Sequence, residues 1–142
     1  MNGEDIKRLI PQRYPFMMVD EFERRDDNSA VTTLTVRQDN YFITYDGSMA
    51  ETGLIEHIAQ SCSALAGSKE RAQSTEHRLT TPPVGMIVEI KNFQCLRRPN
   101  VGECLETTVT FGFTFGQMTL AHGVTTISGE TVAEVDLKIF MQ

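Results

Sequence analysis

Between residues 51 and 67 apolar side chains recur at Leu54, Ile55, Ile58, Ala59, Cys62, Leu65 and Ala66. That three-and-four spacing gathers them on one side of a helix with about 3.6 residues per turn, so this side must be buried. It is the one long helical pattern in the chain. Elsewhere a period of two prevails, carried by Val, Thr, Ile and Phe. Residues 16–22 and 30–36 read as two strands joined by the Asp26-Asp27-Asn28 turn. Residues 84–96 read as a long strand with Met86, Val88, Ile90 and Phe93 inward and a bulge near Asn92. Three further strands, over 104–115, 118–128 and 131–140, are separated by Gly116-Gln117 and Gly129-Glu130, the short Gly-containing turns of an antiparallel meander. A short helix over 3–10 is stopped by Pro11, and residues 68–81, closed by Pro82-Pro83, read as a polar surface loop. One helix and about six strands give an α+β class, with the helix packed on one face of a strongly curved antiparallel sheet.

Composition narrows the setting. The chain has 142 residues, 40% hydrophobic and 23% charged, which fits a single domain over residues 1–142 with a core of its own. A formal net charge of −6 argues against nucleic acid as a partner, because phosphate binding needs clustered Lys and Arg. The three cysteines, Cys62, Cys95 and Cys104, have no paired spacing, so reduced, buried thiols in a cytoplasmic protein are expected. No run approaches the ~18 apolar residues of a membrane span, and no basic-then-apolar leader opens the chain.

The helix carries the candidate chemistry. At about 100° per residue, Glu56, Gln60 and Ser63 share one edge of the apolar stripe. A carboxylate beside buried surface is a candidate acid or base, and Gln60 a candidate for orienting it. His57 points well away from Glu56, towards solvent or an interface. His77 lies in the polar loop and His122 in a strand pattern. Neither has a neighbour at metal-ligand spacing, so no metal and no cofactor is expected.

Three segments, in order, resemble the hotdog-fold (3R)-hydroxyacyl-[acyl carrier protein] dehydratases of fatty-acid synthesis. Ile10-Pro-Gln-Arg-Tyr-Pro-Phe-Met-Met-Val-Asp20 is similar to that family's Leu-Pro-His-Arg-Tyr/Phe-Pro-Phe-Leu-Leu-Val-Asp segment, with Gln12 where the family commonly has His. Gly53-Leu-Ile-Glu-His-Ile-Ala-Gln60 is similar to its central helix. Phe93-Gln-Cys-Leu-Arg-Arg-Pro-Asn-Val-Gly-Glu103 is similar to its Phe-x-Arg-Pro-x-x-Pro-Gly-Asp turn. The resemblance implies a long central helix wrapped by an antiparallel sheet, subunits paired edge to edge, and acyl tunnels at their interface. It also implies that Glu56 works with a His from a loop preceding the helix, one residue from each subunit.

That loop departs from the family. Matching Tyr41-Phe42 to the family's Phe-Phe pair puts Tyr45 in the place of the catalytic His, and no His lies between residues 1 and 56. Dehydration needs a base for the carbon-2 proton and an acid for the leaving hydroxyl. Tyrosine, with an ordinary pKa near about 10, is a poor base. Altered site residues of this kind resemble the divergent members found in aryl-polyene and flexirubin pigment clusters. The resemblance further gives Gly53 a substrate-binding role, through free N–H groups at the helix start, beside a purely structural reading. Lys91, Arg97 and Arg98 become candidates for receiving an acidic carrier protein. Three functions follow: a dehydratase acting on acyl carrier protein or CoA thioesters, a hotdog thioesterase, or a non-catalytic acyl-binding subunit. The assembly expected is a homodimer or a heterodimer with a paralogous hotdog subunit.

Overall fold

The computed structural model describes residues 1–73 and 85–141. Within them the period-two runs become six antiparallel strands: β1 (Glu21–Asp26), β2 (Ser29–Thr35), β3 (Gly85–Cys95), β4 (Cys104–Phe115), β5 (Met118–Ile127) and β6 (Glu130–Met141). They form one sheet in the order β1-β2-β4-β5-β6-β3. A short helix, α1 (Gly3–Ile6), precedes them, and α2 (Glu51–Gln73) runs from the loop after β2. The sheet curls far enough that all six strands touch α2. Its buried face presents Ala30, Leu34, Leu105, Val109, Val135, Leu137 and Ile139 to Leu54, Ile58, Cys62 and Leu65. The alternation of inward apolar and outward polar positions along β4, β5 and β6 is what one buried face requires.

Two glycines permit the close approach. A Cβ on Gly123 would lie 2.4 Å from Ile58 Cγ2, so β5 can sit against the helix only without a side chain there. On Gly67 it would lie 2.5 Å from the carbonyl oxygen of Leu9, a backbone atom with little room to yield. Gly67→Ala is therefore expected to destabilise by about 1–3 kcal/mol, the range for overpacking, even though Ala is favoured over Gly within a helix by about 1 kcal/mol. Thermal denaturation showing an unchanged or higher Tm would contradict this packing.

Four sequence expectations are corrected. The first strand begins at Glu21, not at Phe16, because the backbone of residues 16–18 is claimed by helix side chains instead of a neighbouring strand. The helix continues to Gln73 through residues read as loop; the rest of that loop, with His77 and Pro82-Pro83, lies outside the described residues. The inward phase assigned to β3 does not hold. Met86, Val88 and Ile90 are 51%, 52% and 45% exposed, since among the described residues β3 ends the sheet and pairs with β6 alone. The bulge expected near Asn92 is present, as a register shift between Lys91 and Gln94 with Asn92 at φ 54°. A second shift between Ile87 and Glu89 breaks the alternation again. Finally, only Cys62 is buried, its thiol pushed up to about 12 by desolvation, while Cys95 is half-buried and Cys104 exposed.

Candidate active site

The site starts from Gln60, which is 1% exposed and uses its whole amide. Its Oε1 accepts from the Met18 N–H at 2.6 Å, and its Nε2 donates to the Phe16 carbonyl at 2.6 Å and to Glu56 Oε1 at 2.8 Å. The first two bonds tie residues 16–18 to α2. The third fixes the carboxylate one turn earlier on the helix. Glu56 is half-buried and lines a cleft of about 270 Å³ with Gln12, Gln60, Ser63, Met86 and Ile87. Gln60 occupies Oε1, which leaves Oε2 without a hydrogen-bond partner among the described residues. The shared edge read from the helical wheel is thus one wall of a cleft that opens beside the free edge of β3.

His57 is placed differently from its expected solvent or interface position: it is fully buried. Nδ1 lies 2.6 Å from the Met18 carbonyl and Nε2 2.8 Å from Thr107 Oγ1. A carbonyl can only accept, so Nδ1 carries the hydrogen and Nε2 accepts from Thr107 in the neutral ring. Thr125 then donates to Thr107 Oγ1 at 2.7 Å. Desolvation lowers the His57 pKa to about 4, against the opposing pull of the Met18 carbonyl and Asp20. With both nitrogens engaged, His57 is a staple between helix, sheet and the 16–18 segment. Met18 has its N–H held by Gln60 and its carbonyl by His57, and this replaces the strand ladder expected there.

The remaining candidates scatter. Tyr45 is fully exposed, on a loop after β2 braced by Asp46, which accepts from the Thr44 hydroxyl, the Ser48 hydroxyl at 2.7 Å and the Ser48 N–H at 3.0 Å. Those donors, Thr44 first, hold the Asp46 carboxyl down at about 2. Gly53 is buried, and a Cβ there would meet Phe42 Cβ at 2.6 Å; its N–H donates to the Ala50 carbonyl at 2.9 Å. Arg97 forms a two-pronged bond to Glu103, at 2.8 and 2.9 Å, which holds the Glu103 carboxyl below its usual range. Lys91 pairs with Glu89 at 3.2 Å, and Arg98 is exposed. His122 lies on the outer face between Asp136, at 2.6 Å, and Glu134, at 3.0 Å. Among the described residues, then, no imidazole is free to face Glu56, no set of three or more His, Cys, Asp or Glu is placed to hold a metal, and no helix is long and apolar enough to cross a membrane.

Two features escaped the sequence reading. One is the His57–Thr107–Thr125 chain, whose available signal was the inward phase of both threonines. The other is Gln12, which lies in a matched segment but had no role assigned.

A sheet curled around one long helix, with a carboxylate and an amide on the helix at the mouth of a cleft, defines a hotdog-fold protein. The solved dehydratase heterocomplex ApeI:P from Xenorhabdus doucetiae has the same fold, with a TM-score of 0.82 at 19% identity over 96% of this chain and 90% of that one. A hypothetical thioesterase protein from Streptococcus pneumoniae, solved with coenzyme A, matches with a TM-score of 0.67 at 15% identity over 86% of this chain and 84% of that one. The chain belongs to the ApeP-like dehydratase family, whose model matches residues 4–142. Its relatives include the 3-hydroxyacyl-[acyl-carrier-protein] dehydratase FabZ of Halalkalibacterium halodurans, 28% identical over 94% of each chain. The FabZ of Sinorhizobium fredii is 30% identical over 94% of this chain and 85% of its own length.

Proposed function

We propose that this chain is one subunit of a two-subunit dehydratase that converts 3-hydroxyacyl thioesters on acyl carrier protein to the trans-2-enoyl products. It supplies Glu56, and a paralogous hotdog subunit supplies the imidazole. The observation that carries this is a held carboxylate in a cleft with no available imidazole of its own chain among the described residues. The cleft also opens beside a sheet edge that is unpaired among the described residues, where Met86, Ile87, Val88 and Ile90 are exposed. An unpaired, apolar edge strand invites a second sheet, and a partner docked there stands next to Glu56.

In the assembled site the partner's imidazole takes a proton from carbon 2. Glu56, protonated on Oε2, gives its proton to the hydroxyl on carbon 3. The carbon–oxygen bond breaks, the carbon 2–carbon 3 double bond forms, and water leaves. Oε1 stays fixed by Gln60 throughout. The second site of such a pair would take Tyr45 from this chain, and tyrosine does not serve as the base at neutral pH. Lys91 and Arg98 remain exposed for an acidic carrier protein, whereas Arg97 is already committed to Glu103.

The test is to assay the purified chain alone, then co-purified with a His-bearing paralogue encoded by the same source, on 3-hydroxyacyl carrier protein. Enoyl product is expected from the pair and not from the chain alone. Full turnover by the chain alone would overturn the two-subunit reading. Release of free thiol without enoyl product would mark a thioesterase instead.

A further inference from the structure

We infer that Ala59 and Ser63 are specificity-determining residues of the Glu56 cleft, the two positions on α2 that set how long an acyl chain the site accepts. This rests on the reading above for the thioester nature of the ligand; the geometry is independent of it. One cleft of about 270 Å³ touches Glu56, Ala59 and Ser63 on the helix and Gly85, Met86, Ile87 and Ile139 on the sheet. Ala59 and Ser63 keep 8% and 6% of their surface open, whereas Ile58, Cys62 and Leu65, on the part of the helix packed against the sheet, keep 1% or less. The open surface of these two residues is therefore turned to the cleft. The cleft closes at Ser63. A Cβ built on Gly85 would lie 3.1 Å from Ser63 Oγ and 2.7 Å from Met141 Sδ, so helix and strand meet there with Met141 packed on the same spot.

The walls select the part of the ligand that enters. Between Glu56 and Ser63 stand Ala59, Met86, Ile87 and Ile139, none with a strong hydrogen-bonding side chain, and the Gln60 amide is spent on Met18, Phe16 and Glu56. The amides of a pantetheine arm are costly to bury without partners, while a hydrocarbon chain gains from the same surface. With carbon 3 at Glu56, the tail of the acyl chain runs along α2 towards Ser63, and the thioester lies on the other side of the carboxylate. The helix supplies the scale. Ala59 and Ser63 lie three and seven residues beyond Glu56, about 4.5 and 10.5 Å along the axis. An extended chain advances about 1.2 Å per bond, a third of the span of an extended residue, so Ala59 is level with about carbon 7 and Ser63 with about carbon 12. The volume agrees with that length. Carbons 4 to 12 are about nine groups the size of a water, which at roughly 30 Å³ each fill the cleft of about 270 Å³.

The experiment measures, by calorimetry, how unbranched saturated acyl-pantetheine amides of about 4 to 16 carbons bind the chain purified with its partner subunit. An amide replaces the thioester and no hydroxyl is present, so these ligands neither hydrolyse nor dehydrate. Wild-type affinity is expected to rise about fourfold per added carbon and to stop rising near about 12 carbons. Each substitution fills the cleft from its own level, so Ala59→Met is expected to bring that break down to about 7 carbons and Ser63→Met to about 10. Breaks that stay in place, or that move equally in both variants, would overturn the inference. A uniform loss at every length would do the same, by putting the pantetheine arm beside the helix. If a variant does not fold, the wild-type series decides, because affinity still climbing past about 14 carbons is incompatible with a stop at Ser63. A wild type that shows the break yet fails to dehydrate 3-hydroxyacyl carrier protein would defeat the dehydratase reading and leave the length limit standing.

Discussion

Glu56→Gln in the two-subunit assembly is expected to lower kcat by roughly 10²–10⁴-fold, the usual worth of a positioned proton donor. KM for 3-hydroxyacyl carrier protein should change little. The substitution keeps shape and keeps an acceptor for Gln60 Nε2, whose bond to Glu56 Oε1 spans 2.8 Å. It removes only the exchangeable proton, so Tm should match wild type. Gln60→Leu is the instructive contrast. It severs three bonds at once and leaves the Met18 N–H buried without an acceptor, so activity and stability should fall together. Steady-state kinetics beside thermal melts separates the two effects. A Glu56→Gln assembly that keeps more than about a tenth of wild-type kcat would remove Glu56 from the proton-donor role.

The helix, its buried stripe and the edge carrying Glu56 and Gln60 could be read from residue spacing, because helical period is a local property. The meander from β4 to β6 could be read for the same reason, its strands being separated by short glycine-containing turns. What could not be read depends on partners distant in sequence. Residues 16–20 have strand chemistry, yet Gln60 and His57, about forty positions away, take the backbone groups a strand neighbour would have used. His57 was misplaced because the wheel assumes one buried side. This sheet touches the helix with all six strands, so the buried arc is wide enough to include His57, Gln60 and Ser61. The matching clue lay in the strands. Thr32, Thr107 and Thr125 sit in the inward phase, in one cross-strand row, where apolar residues would be expected unless the helix offered polar partners. β3 fails in the opposite way. Its apolar content signals burial, yet no described strand or helix covers that edge, and alternation along one strand does not say what its neighbour is.

His57 also sets an expected pH dependence of stability. Its pKa in the folded chain is about 4, against an ordinary value of 6.5, so the unfolded chain binds the proton more readily. The contribution is therefore complete above pH 6.5 and is lost as the pH falls from there towards 4. The gap corresponds to roughly 3 kcal/mol in all, and to about 2 kcal/mol by pH 5. Carboxylates titrate lower. Those of Asp46, Glu103 and Asp136 are all held below their ordinary values by hydrogen bonds, and their stabilisation is lost mainly at more acid pH. Urea unfolding at pH 7 and pH 5, at one protein concentration, measures the difference. His57→Gln cannot titrate, so it should be less stable at pH 7 but lose about 2 kcal/mol less than wild type on going to pH 5. The neutral, Nδ1-protonated ring also predicts an order of severity. Leu at position 57 would strand both the Met18 carbonyl and the Thr107 hydroxyl, costing more than Gln, which can still donate to one of them. Parallel pH profiles for wild type and His57→Gln would show that the imidazole is not the buried, neutral staple that joins α2 to the sheet.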